Sequence, residues 1–183
     1  LLIGLFLFSS PKISSITFKG VNSLPHKEVL NVLHLKKGEV LRKPLLTLGL
    51  MKLQDLYRSK GFFDFRVVRD TIYTDKKGAH IFIEVDEGKR KVVGKLLFDG
   101  ITQIDSLTLR KLLKVKPPFF YDEGVQRGIE TRLITFYSDT GYPFVELSHQ
   151  IFTDSLDTLT ILYSVREGPR VTIGNIQILG LKR

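Results

Sequence analysis

Cysteine is absent from the 183 residues. Disulfides, thiolate metal sites and cysteine nucleophiles are excluded together. Histidine is scarce: His26, His34, His80 and His149 form neither an HExxH arrangement nor a close pair, so the sequence offers no zinc-hydrolase signature. Each reads as a surface or turn histidine. Phosphate-binding loops are also missing, with no GxGxxG and no Walker-type sequence. No GxxG occurs either, which separates the chain from RNA-binding KH modules. Gly124 and Gly128 have three residues between them and lie in a helical pattern. The longest apolar opening, Leu1–Phe8, is far short of the roughly 20 residues a bilayer span needs.

Hydrophobic residues make up 43% and charged residues 26%, enough for a buried core and against long disorder. The net charge is +9. The basic residues are spread along the chain, and the one dense cluster is Lys89, Arg90, Lys91 with Lys95 nearby. Cluster density decides electrostatic affinity for nucleic acid, so no nucleic-acid partner is expected. A basic nucleic-acid-binding α+β repeat protein stays as a rival class. Leu1–Phe8 is followed by Ser9-Ser10-Pro11-Lys12 with no initiator Met. Residues 1–11 read as a truncated signal peptide or the end of a membrane anchor, and either places the rest outside the cytoplasm. A buried first strand is the remaining reading.

The chain matches itself at an offset of 80 residues without a gap, with twelve identities in eighty pairs. Composition alone gives roughly five or six. The identities fall at apolar positions and glycines, where the backbone dictates the residue. Phe18 and Gly20 fall on Phe98 and Gly100; Tyr57 and Gly61 on Tyr137 and Gly141; Val85, Glu87 and Gly88 on Val165, Glu167 and Gly168. A third start follows, in which Gly174 matches Gly94 and Gly180 matches Gly100 and Gly20.

Each copy predicts β-α-α-β-β. Ser14, Ile16 and Phe18 alternate with Ser15, Thr17 and Lys19 as a first strand, with Gly94–Asp99 as its twin and Ile176–Ile178 as a third. A short helix follows, carrying Val29, Leu30, Val32 and Leu33, capped by Asn22 or Ser23; its twin carries Leu109, Leu112 and Leu113, capped by Asp105 or Ser106. A longer helix presents Leu46, Met51, Leu53, Leu56 and Tyr57; its twin presents Val125, Ile129, Leu133, Phe136 and Tyr137 after the cap Asp122. Gly61 and Gly141 suit left-handed C-terminal caps. Two strands close each copy, at about residues 63–73 and 79–85, then 144–153 and 158–165. The fold class is therefore α+β: tandem two-layer modules, each a three-stranded mixed sheet with two helices on one face. The short junction after Gly88 favours a stiff, jointed rod.

Glu87 and Glu167 resemble a catalytic carboxylate pair, but they are repeat equivalents and belong a module apart. Each reads as the end of a strand plus a turn. Asp154 and Asp157 read as a hairpin turn rather than a cation site. No catalytic residue, metal or cofactor is expected, and the chain reads as a docking scaffold, not an enzyme.

Three features together carry a family resemblance: Gly61-Phe62 and Gly141-Tyr142 after the long helices, the Val-x-Glu-Gly close at 85–88 and 165–168, and the strand ending in glycine. In this order and spacing, found twice, they resemble the POTRA (polypeptide-transport-associated) domains of the BamA-like outer-membrane assembly factors and their translocation-and-assembly relatives. Gly168-Pro169-Arg170-Val171-Thr172-Ile173-Gly174 is similar to that family's junction into a further module. One departure is the longer second strand of the first copy, ending Arg69-Asp70-Thr71-Ile72-Tyr73, which blurs its register. The expected organisation is a first module over 12–89, a second over 90–169 and the start of a third over 170–183.

The resemblance implies a periplasmic arm of an outer-membrane protein, preceding a C-terminal membrane β-barrel of the same chain. Its partners would be unfolded outer-membrane proteins and accessory lipoproteins, with a two-partner secretion transporter arm as the alternative. Clients would add a strand to an exposed sheet edge. In the family that edge is the second strand, which here means Phe65, Arg66, Val67, Val68 and Arg69, and Val145, Glu146, Leu147, Ser148 and His149.

Overall fold

In the computed structural model, residues 10–154, 156–177 and Gly180 are described. The Leu1–Phe8 run, with its signal-peptide or anchor reading, lies outside them, as does Ile178. The chain divides into two compact units, Leu1–Arg90 and Lys91–Arg183.

The first unit runs β1 (Ile13–Lys19), α1 (His26–Leu33), α2 (Lys43–Ser59), β2 (Arg66–Asp75) and β3 (Gly78–Asp86). Its sheet has the order β1-β3-β2, with β1 parallel and β2 antiparallel to β3. Period two puts Ala79, Ile81, Ile83 and Val85 of the central strand on one buried face. Val29 and Leu33 of α1 and Leu46, Leu53 and Tyr57 of α2 pack into the same core, with Ile13, Val21, Leu35, Leu41, Phe62 and Phe65 around them. Met51, expected on that apolar side, is 62% exposed instead. It stands five residues past Leu46, about 140° around a helix that turns 100° per residue.

The glycines after the long helices end them in the same way. Gly61 has φ +93°. Its N–H donates to Arg58 O at 2.9 Å and that of Phe62 to Tyr57 O at 3.0 Å, which closes a Schellman motif. Gly141 (φ +96°) and Tyr142 repeat it on Ser138 and Tyr137. The short helices differ. Asp105 caps its helix, accepting from the N–H groups of Leu107 and Thr108 at 2.9 and 3.0 Å. Neither Asn22 nor Ser23 caps α1, which starts after Pro25 without a side-chain cap; both engage Glu87.

The second unit runs β4 (Val92–Asp99), α3 (Ser106–Leu113), β5 (Phe119–Phe120), α4 (Glu123–Asp139), β6 (Glu146–Thr153) and β7 (Thr158–Arg166). Asp122 caps α4 through the N–H of Gly124 at 2.8 Å. The sheet has four strands, β5-β4-β7-β6, where three were expected. The added strand enlarges a feature of the first unit. There Lys12 makes a single bridge to Val40; 80 residues on, Val92 pairs Phe120 and Val93 pairs Phe119.

The blurred register of β2 has a structural cause. Val67 faces Val85 and Arg69 faces Glu84, so Val68 is the extra residue of a β-bulge. β6 has no bulge and pairs evenly from Glu146–Arg166 to Thr153–Leu159. The ungapped offset survives because the first hairpin turns more tightly, with Asp75 directly opposite Gly78. The second closes with Asp154 N–H on Thr158 O at 2.9 Å, and Asp157 takes φ +63°.

Beyond Arg166, Val171–Gln177 takes no regular secondary structure where the opening of a third strand was expected. In each unit the opening strand pairs with one 65 residues later, Ile16 with Ile81 and Leu96 with Ile161.

Candidate docking edges

Each sheet has one edge strand partly occupied and one left open. On the β1 side, Ile13 N–H donates to Glu39 O at 2.8 Å, Gly38 N–H to Ile13 O at 2.8 Å and Leu41 N–H to Pro11 O at 2.9 Å. The connection between the helices thus covers the start of that edge. β5 does the same for β4. β2 and β6 stand last in their sheets, and among the described residues no strand pairs with their outer sides. Such an edge presents a row of N–H and C=O groups able to accept an extended segment.

The residues expected on the first edge divide. Phe65 precedes β2, is buried, and stacks on Tyr57 at 4.1 Å between ring centroids. Arg66 opens the strand and donates to Asp86 at 2.8 Å. Val67 packs partly against the core, Val68 occupies the bulge at 54% exposure, and Arg69 lies exposed opposite Glu84. On the second edge, Val145 precedes β6 and is half-buried. Glu146 accepts from Arg166 at 3.4 Å, Leu147 is half-buried, and Ser148 faces Ser164. His149 is tied to Glu130 of α4 at 2.6 Å, fixing that strand against its helix.

The carboxylates dismissed as a catalytic pair have a role the sequence did not disclose. Glu87 accepts from Tyr57 Oη (2.7 Å), Asn22 N (2.8 Å), Ser23 N (2.9 Å) and Ser23 Oγ (2.7 Å). Glu167 accepts from Tyr137 Oη (2.7 Å), Thr102 N (2.7 Å), Gln103 N (2.9 Å) and Thr102 Oγ1 (2.5 Å). One carboxylate per module ties the end of the last strand to the long helix and to the loop after the first strand. Burial alone would raise the pKa of Glu167, but the donors stabilise the charged form and hold it at about 2. Glu87 is lowered by the same balance. Burial, then the bond to Glu87, raises the pKa of Tyr57. The one sequence signal was the shared repeat position of each Tyr with each Glu.

Gly20 and Gly100 are explained by the same corner. Each has positive φ, and a Cβ on either would overlap the carbonyl oxygen of Val85 or Val165. Glycine alone fits where the first strand turns past the last.

The histidines serve local contacts. His26 packs on Phe18, His34 ends α1 in the left-handed region, and His80 bonds Ser15 and Asp75. Asp154 accepts from Leu156 and Thr158 N–H groups within its turn, while Asp157 accepts from Lys91 at 2.6 Å. No cluster of potential metal ligands occurs among the described residues.

Comparison with known proteins places this geometry. The chain is 25% identical over 176 residues to the outer membrane protein assembly factor BamA of Nitratidesulfovibrio vulgaris, covering 91% of this chain and 22% of that one. It is 26% identical over 184 residues to BamA of Neisseria meningitidis, covering 93% and 23%. The chain thus spans less than a quarter of the curated relatives it matches. Among solved structures, POTRA domains 3–5 of Haemophilus influenzae BamA superpose with a TM-score of 0.57 at 19% identity, covering 93% of this chain and 72% of that one. POTRA domains 1–3 of Omp85 from Anabaena give 0.54 at 15%, covering 86% and 62%. Both establish the two-layer α+β fold. The family model described as POTRA, surface antigen variable number repeat, matches residues 11–88 and again 91–168, and the chain belongs to that family.

Proposed function

We propose that this chain is the periplasmic part of an outer-membrane β-barrel assembly factor, and that it receives unfolded outer-membrane proteins by β-augmentation. The observation that carries the reading is the open outer side of β6, whose register to β7 is unbroken over its whole length. Backbone pairing reads little side-chain identity, which suits a receptor for many clients. β2 is the weaker acceptor of the two. Its bulge at Val68 interrupts the regular spacing of edge groups, a device that blunts strand addition. β6 is the stronger acceptor of an extended client strand, and the unbulged part of β2, residues 69–75, is a separate, weaker one. A membrane β-barrel of the same polypeptide and accessory lipoproteins are the other partners of this reading. No enzymatic step is involved.

Photo-crosslinking groups at Ser148 and Gln150, with Thr131 on α4 as the control position, test it against an unfolded β-barrel client. Crosslinks at 148 and 150 that weaken at 131 are expected. Crosslinks confined to Thr131 contradict the proposal.

A further inference from the structure

The two modules share a fold but not a surface. Residues 10–90 hold sixteen Lys and Arg against nine Asp and Glu, whereas residues 91–170 hold ten of each. The difference concentrates between Lys36 and Lys52, where five basic residues stand against the single acid Glu39. The equivalent stretch, Lys116 to Arg132, has three of each.

Apolar exposure follows the same segment. α2 buries Leu46, Gly49, Leu53 and Tyr57 and turns Leu45, Leu48 and Met51 to solvent at 43%, 54% and 62% exposure. At 100° per residue these three lie on one outward stripe. The sister helix α4 has Val125, Gly128 and Thr131 at those positions. Since α4 folds into the same place without an apolar stripe, packing does not require one on α2. Arg42, Lys43 and Lys52 flank it, with no acidic partner at ion-pair distance among the described residues. Beside Leu45 the stripe adjoins a groove of about 640 Å³ lined by Val40, Leu35 and Arg42.

An exposed apolar stripe bordered by unpaired cations on one helix is the chemistry of an interfacial segment. The apolar side chains enter the boundary between headgroup and acyl chain, and the cations meet anionic headgroups. We infer that the outward face of α2 docks the first module on an anionic phospholipid surface. This contact is separate from the strand edge proposed for clients. α2 turns away from the sheet the residues that would enter the lipid, and β2 lies at the sheet edge.

Co-sedimentation of the full chain with vesicles tests this, using phosphatidylcholine alone or with added phosphatidylglycerol, at low and high salt. Binding is expected only with phosphatidylglycerol, falling as salt screens the charges. Leu48→Glu/Met51→Glu and Arg42→Glu/Lys43→Glu should each weaken it about tenfold or more, with circular dichroism unchanged. Thr131→Glu, at the matching position of α4, should bind as the parent does. The inference is overturned if vesicles with phosphatidylglycerol are not bound, or if salt has no effect. It is also overturned if both double variants bind like the parent. Self-association abolished by the same substitutions, without vesicle binding, would make a second copy the occupant and reject the membrane.

Discussion

Tyr57 and Glu87, thirty residues apart in sequence, meet in one hydrogen bond of 2.7 Å from the phenol to Oε1. Tyr137 and Glu167 repeat it at the same length. The Tyr sits in the last turn of the long helix and the Glu just past the closing strand, so the bond fixes the helix layer to the sheet layer. The backbone N–H groups of residues 22 and 23, or 102 and 103, bring the end of the first strand to the same carboxylate. This arrangement accounts for the Val-x-Glu-Gly close better than a turn does.

Removing the phenol tests the tie directly. Tyr57→Phe should destabilise the chain by about 1.5–3 kcal/mol, the range for a hydrogen bond to a charged group. Combined with Glu87→Gln, the loss should be smaller than the sum of the single losses, because the two residues share one interaction. Urea unfolding of the four chains measures this; additive losses would show that the residues act independently.

The same carboxylates set an acid limit. Glu167 is held at about 2, below the ordinary carboxylate value of 4.5. A depressed folded-state pKa contributes stability above the unfolded value and loses it as pH falls through the folded one. Stability should therefore be steady above about pH 5 and decline between about 4.5 and 2. Glu167→Gln should flatten part of that decline. Midpoints of urea unfolding across pH check it, and an unchanged acid slope in the variant would contradict it.

A buried polar pair distinguishes the second core from the first. Tyr163 donates to Gln126 Oε1, both are fully buried, and Gln126 Nε2 has no hydrogen-bond partner among the described residues. The first module has Leu46 and Ile83 at these positions. Either Gln126→Leu or Tyr163→Phe alone strands a buried polar atom and should lose about 1–3 kcal/mol. The double variant should recover most of the loss, as both partners become apolar. Thermal melts decide it; a double variant weaker than either single one would reject this account.

Lys91 is 9% exposed, and its ammonium donates to both oxygens of Asp157 at 2.6 and 2.7 Å. Asp157→Asn keeps a residue that tolerates φ +63° but removes the charge of this carboxylate. The expected loss is about 1–3 kcal/mol, less than for a fully enclosed pair because Asp157 is half exposed. Chemical denaturation measures it; a variant as stable as the parent would show that the charge of Asp157 contributes nothing net to the fold.

The repeat, both long helices and the alternation of the closing strands were legible because each is a periodic apolar signal. Gly61 and Gly141 were legible as helix stops because only glycine relieves positive φ there. Three features were not. The bulge at Val68 leaves no periodic mark and was hidden by a compensating shorter turn. β5 is too short, at Phe119–Phe120, to alternate. Glu87 draws its partners from residues 22, 23 and 57, and such distant convergence is not written in local spacing. The expected edge began one residue early on each side. Phe65 and Val145 precede their strands, and Phe65 follows the aromatic core rather than the edge.

Backbone amide mapping of the full chain, titrated with an extended peptide from an outer-membrane β-strand, tests client docking most directly. Perturbations should concentrate on the amides of residues 146–153, with smaller ones over 69–75 and little change along α4. Perturbations confined to the helices, with the amides of β6 unmoved, would contradict strand addition at this edge.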